Sequence, residues 1–121
     1  MPRPDDPTHI RHMLEAARKI RIFSEGHTRD DLETDELRAL GLVRLLEIIG
    51  EAATRVTEAT KTHNEGIPWA QMIGMRNRLI HGYDVIYLDI LWRTVTKDVP
   101  VLIKLLEGVI IPDAAGTGYT G

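Results

Sequence analysis

The chain has 121 residues, 43% of them hydrophobic and 27% charged, with a formal net charge of −3 and no cysteine. That length holds one domain with a real core and not two, and the balance is that of an ordinary globular protein. Disulfides and thiolate metal sites are excluded, as is a bulk polyanion binder, so any contact with nucleic acid has to come from a local basic patch. Apolar runs are only a few residues long, too short to span a bilayer. The opening Met1-Pro2-Arg3-Pro4-Asp5-Asp6 lacks the apolar stretch of a secretory signal, which with the absence of cysteine gives an expected cytoplasmic location.

In chain order, Asp6 followed by Pro7 reads as an N-cap and a first helical position, because proline has no N–H to waste there. Ile10, Met13, Leu14, Ala17 and Ile20 recur at steps of three and four, the stripe of a half-buried helix over about 7–25 that Gly26 ends. Arg29-Asp30-Asp31-Leu32 can form a single turn. A long helix is expected from about 34 to 62, capped by Thr34, with Asp35 and Glu36 at the positive end of its dipole and Gly66 just past its close. Between Leu42 and Ala53 it is apolar nearly all round, as in a helix buried on several sides. Arg44, Glu47, Glu51, Arg55 and Glu58 form one polar stripe along it, readable as intrahelical ion pairs facing solvent. Gly50, Ala52 and Ala53 allow another helix to approach closely.

Pro68 opens a third helix, with Trp69, Met72, Ile73, Leu79 and Ile80 on its apolar side. Gly82 can end it in the left-handed conformation, which puts His81 in its last turn. A fourth helix is expected over about 88–107 on Leu91, Trp92, Val95, Val99, Leu102, Ile103 and Leu106, with a bend at Pro100. No strand of convincing alternation is present. The expected architecture is therefore all-α, an antiparallel bundle of four to five helices, with a single domain over 1–111 and a loose tail over 112–121. Two long helices with apolar residues on several faces exceed what one chain covers, and a two-fold homodimer is the commonest solution.

The densest chemistry lies in Met75-Arg76-Asn77-Arg78-Leu79-Ile80-His81-Gly82-Tyr83, which contains the pattern R-x4-H-x-Y. Such groups can act on a phosphate: metal-free phosphodiester cleavage needs a proton acceptor, a proton donor for the leaving oxygen and a cation for the charge that builds on phosphorus. Histidine suits both proton roles, since its ordinary pKa of about 6.5 lies near working pH. Arginine stays charged and presents a planar fork to phosphate oxygens. Neither metal nor cofactor is required. On a regular helix, however, positions 76 and 81 stand about 140° apart, while Arg78 and His81 would share a face better. A helix that ends at His81, or a site shared between two chains, would resolve that geometry.

This motif, together with Glu47-Ile48-Ile49-Gly50-Glu51-Ala52-Ala53 and Ile67-Pro68-Trp69, resembles the signature of the HepT-like toxins, a branch of the HEPN superfamily of small helical ribonuclease domains. The likeness covers most of residues 8–107. It implies a HEPN-like homodimer with the motif cleft at the subunit interface, so that one His81 can serve as base and the other as acid. It also implies the toxin half of a type VII-like toxin–antitoxin pair, acting on cellular RNA, with transfer RNA a candidate target. The partner it implies is a minimal nucleotidyltransferase antitoxin that attaches AMP to Tyr83 and can assemble with the dimer into a larger hetero-oligomer. A nucleotide on Tyr83 would place charge and bulk where the substrate phosphate must lie.

The roles expected are His81 as general acid and base, Arg76 as phosphate clamp and Tyr83 as the regulated hydroxyl. Asn77 and Arg78 come second, and Glu47 or Glu51 could orient His81 or Arg76. Tyr87 is the confounder for any modification at Tyr83. His9 and His12, three apart with Glu15 nearby, have a zinc-like spacing, yet with no thiol and no H-E-x-x-H pattern a metal site is not expected. Two other readings stand beside the nuclease: a non-catalytic helical adaptor that binds the nucleotidyltransferase, and a dimerisation module whose motif only stitches an interface. The acidic net charge favours these and the spacing favours the nuclease.

Overall fold

The computed structural model describes residues 5–82, 85–112 and 119–120. Helix α1 (Asp6–Ser24) is capped by Asp5, whose carboxylate accepts the Thr8 N–H at 3.2 Å, one residue earlier than expected. Asp6 is committed elsewhere. Its carboxylate accepts the Thr57 N–H at 3.0 Å and the hydroxyls of Thr57 and Thr60 at 2.6 Å each. Burial disfavours its charge, but the hydrogen bonds from Thr57 and Thr60 outweigh that and hold Asp6 below the usual carboxylate range.

The same contact explains why the helix expected over 34–62 is two helices. After the short α2 (Asp31–Thr34), α3 (Glu36–Arg55) starts from Asp35, which accepts the Arg38 N–H at 3.0 Å in the role expected of Thr34. It stops where Val56 turns extended and buries its side chain, and Thr57 caps α4 (Glu58–His63). The apolar spacing continues through the break, because Val56 and Thr60 are both buried.

Helices α1 and α3 run antiparallel: the start of α1 meets Thr57 past the end of α3, while at the far end the Arg38 guanidinium donates to the Phe23 carbonyl at 2.8 Å. Between them lies the core, with Met13, Ala17 and Ile20 against Leu42, Leu46 and Ile49. Helix α5 (Trp69–Leu79) packs antiparallel against α3, burying Met72, Met75 and Leu79. Ile73, expected on the buried side, is 41% exposed. The α3–α5 approach requires glycine at position 50, where a Cβ would stand 2.8 Å from the Met72 carbonyl oxygen.

Strands β1 (Ile80–His81) and β2 (Val85–Ile86) form a short antiparallel pair, although no strand is expected there. The last long helical span consists of α6 (Leu88–Arg93), a π-helical turn Thr94–Asp98 and α7 (Val99–Glu107). In the turn the Val99 N–H donates to the Thr94 carbonyl, five residues back, and the Thr96 hydroxyl donates to the Trp92 carbonyl at 2.8 Å. Pro100 has no N–H to give the carbonyl four residues before it, so the wider turn sits where the α-ladder would lack a donor. The expected disturbance thus falls just before the proline. β3 (Ile111–Pro112) pairs antiparallel with β4 (Tyr119–Thr120), and residues 113–118 of the expected tail lie outside the described residues. No helix among the described residues is long and apolar enough to cross a membrane.

Candidate functional site

Arg76, Asn77 and Arg78 occupy the last turn of α5, but His81 does not. The backbone leaves the helix at Ile80, at φ −120° and ψ 128°. The Leu79 carbonyl, orphaned by the helix end, accepts the Tyr87 N–H at 2.8 Å. The hairpin then obeys the two-residue alternation of a strand. Ile80 pairs with Ile86 against the core, while His81 pairs with Val85 on the solvent side. Gly82, at φ +68°, supplies the left-handed residue that follows. His81 is thereby released from the helical angle that would hold it about 140° from Arg76. Its imidazole lies nearly parallel to the Tyr87 ring, with centroids 5.8 Å apart and planes 12° off parallel. Tyr83 lies outside the described residues.

Arg76 points toward α3. Its Nε donates to Glu47 Oε2 at 2.9 Å, with the arginine side chain 54% exposed and the glutamate 25%. The two terminal nitrogens of the guanidinium make no hydrogen bond to any described residue, so the fork that would grip a phosphate is open. This pair borders a cleft of ≈ 170 Å³ between α3 and α5, where Gly50, Glu51 and Thr54 also stand. Glu51 pairs instead with Arg44 along its own helix at 3.2 Å, in line with an exposed ion-pair stripe. Among the described residues, Glu47 alone of the stripe reaches across to the motif.

Arg78 curls back along α5, donating to the Gln71 carbonyl at 3.0 Å and touching Met75 Sδ at 3.8 Å. Asn77 is exposed. Of the two motif arginines, then, Arg76 keeps its fork free and Arg78 spends a terminal nitrogen on its own helix. His9 is buried and meets His12 edge-on at 6.4 Å, and no cluster of three or more acidic or histidine side chains among the described residues could hold a metal. The contact that sequence reasoning missed is Tyr87 on His81. The cue available was the β-branched pair Val85-Ile86 beside a glycine turn, which marks a hairpin.

An all-helical bundle whose α5 runs into R-x4-H, with the imidazole turned out on a hairpin, is a HEPN-like domain. The family model for Ribonuclease HepT-like proteins matches residues 13–109, and the chain belongs to that family, which places it among the endoribonucleases. It is 34% identical over 94 residues to "Probable ribonuclease HepT" of Thermococcus cleftensis, covering 78% of this chain and 86% of that one. A protein of Caldanaerobacter subterraneus with RNase in its name is 30% identical over 109 residues, covering 90% and 94%. Another so named, from Methanocaldococcus jannaschii, is 31% identical over 107 residues, covering 88% and 98%. No solved structure gives a significant match.

Proposed function

We propose that this chain is the toxin half of a toxin–antitoxin pair, a metal-independent endoribonuclease that acts on cellular RNA as a homodimer. The observation that carries the reading is an exposed His81 on the hairpin after α5, together with an Arg76 whose fork is open. In the dimer two such motifs face one groove. One imidazole takes the 2′-hydroxyl proton, its counterpart protonates the leaving 5′-oxygen, and the Arg76 guanidiniums hold the phosphate as charge builds. Ile73, which lines the α3–α5 cleft and is 41% exposed, supports a subunit contact on that face.

Glu47 restrains Arg76 without using up its fork, and Asn77 and Arg78 are the secondary contacts. Transfer RNA is the target class the family likeness suggests. A cognate nucleotidyltransferase silences the enzyme by attaching AMP to Tyr83, two residues from His81.

Two measurements test this. His81→Ala should lower RNA cleavage by at least about 10²-fold, the contribution of a positioned acid–base group, while the melting temperature stays unchanged. Co-expression with a neighbouring nucleotidyltransferase should add AMP-sized mass, mapped to the peptide carrying Tyr83 and not to Tyr87. A second reading is favoured by the net charge of −3: a non-catalytic adaptor that binds the nucleotidyltransferase. It would show a tight complex, no cleavage by the purified chain and no effect of His81→Ala.

A further inference from the structure

A chain with net charge −3 that cleaves RNA must concentrate its cations where the strand runs. The motif supplies them only at the scissile phosphate. We infer that the groove continuing from Tyr87 along α6 and the π-helical turn binds the single-stranded RNA flanking that phosphate, with Arg93 and Lys97 on its backbone. This rests on the nuclease reading and extends it to a binding track.

The groove consists of two adjoining concavities of ≈ 430 Å³ and ≈ 390 Å³ that share Arg29 and Asp89. Tyr87 lines the first, and the same ring lies against His81, so the track begins at the proposed catalytic imidazole. Trp92, Arg93 and Lys97 line the second. The charges there are unequal in availability. Arg29 is spent, because its Nε binds Asp89 at 2.6 Å and its guanidinium also engages Glu33. The same guanidinium also meets Asp30 at 3.4 Å, so it offsets the Asp89 carboxylate only in part.

Arg93 and Lys97 are exposed and make no ion pair with any described residue, so the second concavity carries two cations free to meet a phosphate. They are four residues apart across the start of the π-helical turn. Half-exposed Tyr87 in the first concavity and half-buried Trp92 in the second provide aromatic surface leading up to the cations. A basic groove with aromatic faces along it is the chemistry that holds single strands without reading sequence, since every base has a π-face.

The test is fluorescence anisotropy of a labelled single-stranded oligoribonucleotide with methylated 2′-hydroxyls, which the intact protein can bind and cannot cleave. Arg93→Ala/Lys97→Ala should raise Kd about 10-fold and flatten the slope of log K against log salt by about 1.4, the counterion release of two single-strand phosphate contacts. A charge-matched control, Arg11→Ala/Arg55→Ala, removes two cations at the opposite end of the α1–α3 pair and should leave both readings in place. With cleavable RNA, the first double variant should raise KM while kcat at saturation is kept. Equal weakening by the two doubles, or none by the first, overturns the groove. If the wild type binds but cleaves nothing while the doubles still differ, the groove stands and the nuclease reading falls. If it binds no RNA, both fall.

Discussion

Gly50→Ala offers the sharpest reading of how α5, and with it Arg76, is held. An added Cβ would stand 2.8 Å from the Met72 carbonyl oxygen, whereas ordinary contact begins near 3.4 Å, so α3 and α5 must part by roughly 0.6 Å. The obstacle is backbone, which no side-chain rotation can relieve. Overpacking of this kind costs about 1–3 kcal/mol, and the better helix propensity of alanine returns about 0.5–1 kcal/mol of it. The expected net loss is about 1–2 kcal/mol. For a domain of this size that corresponds to a fall in melting temperature of about 4–8 °C. Gly74→Ala is the internal control, because nothing lies within 4 Å of a Cβ there, and it should stabilise by about 0.5–1 kcal/mol. Urea denaturation of both variants measures the difference directly. If Gly50→Ala is as benign as Gly74→Ala, the close approach of α3 and α5 is wrong, and so is the Glu47–Arg76 geometry that depends on it.

Two further outcomes follow from contacts described above. Tyr87→Leu should lower kcat about 10-fold and shift the His81 ring-proton resonances by removing the stacked ring, and Tyr87→Phe should restore both. Loss in the phenylalanine variant as well would show that the hydroxyl, not the ring, matters. Asp6→Ala should cost about 1.5–3 kcal/mol in chemical denaturation, the range for hydrogen bonds to a charged group. Because the folded pKa of Asp6 is depressed, its stabilisation is full above the ordinary carboxylate pKa of about 3.9 and drains as pH falls through the folded value. Asp6→Asn should therefore flatten that acid limb of the stability curve, and an unaltered limb would count against the assignment.

The helices were legible where apolar spacing meets a clear boundary. Gly26 lies two residues past the end of α1, and the stripe of Leu91, Val95, Val99, Leu102 and Leu106 is buried as expected. The errors share a physical cause. Spacing reports which residues face the core, not whether the backbone between them stays helical. Val56 and Thr60 continue the buried stripe of α3 through a break that depends on Asp6, fifty residues earlier in the chain, and no local pattern reveals that partner. Ile80 likewise extends the stripe of α5, so His81 reads as helical although its neighbour has turned extended. In the site, only the family resemblance singles out Arg76 with His81, because regular helical spacing puts Arg78 nearer the face of His81. Which arginine keeps an open fork could not be picked from the sequence, because that is decided by Glu47 for one and Gln71 for the other.

The π-helical turn has a consequence for how the two ends of the last helical span can be aimed. One residue more in a turn rotates everything beyond it by about 100° relative to a continuous α-helix. α6 can therefore show Arg93 outward while α7 still points Leu102 and Leu106 at α1. Removing a single residue between positions 94 and 98 would straighten the rod and force a choice, with either the cations swung inward or the leucines swung into water. The register of that one turn is what lets a single continuous span serve two neighbours at once.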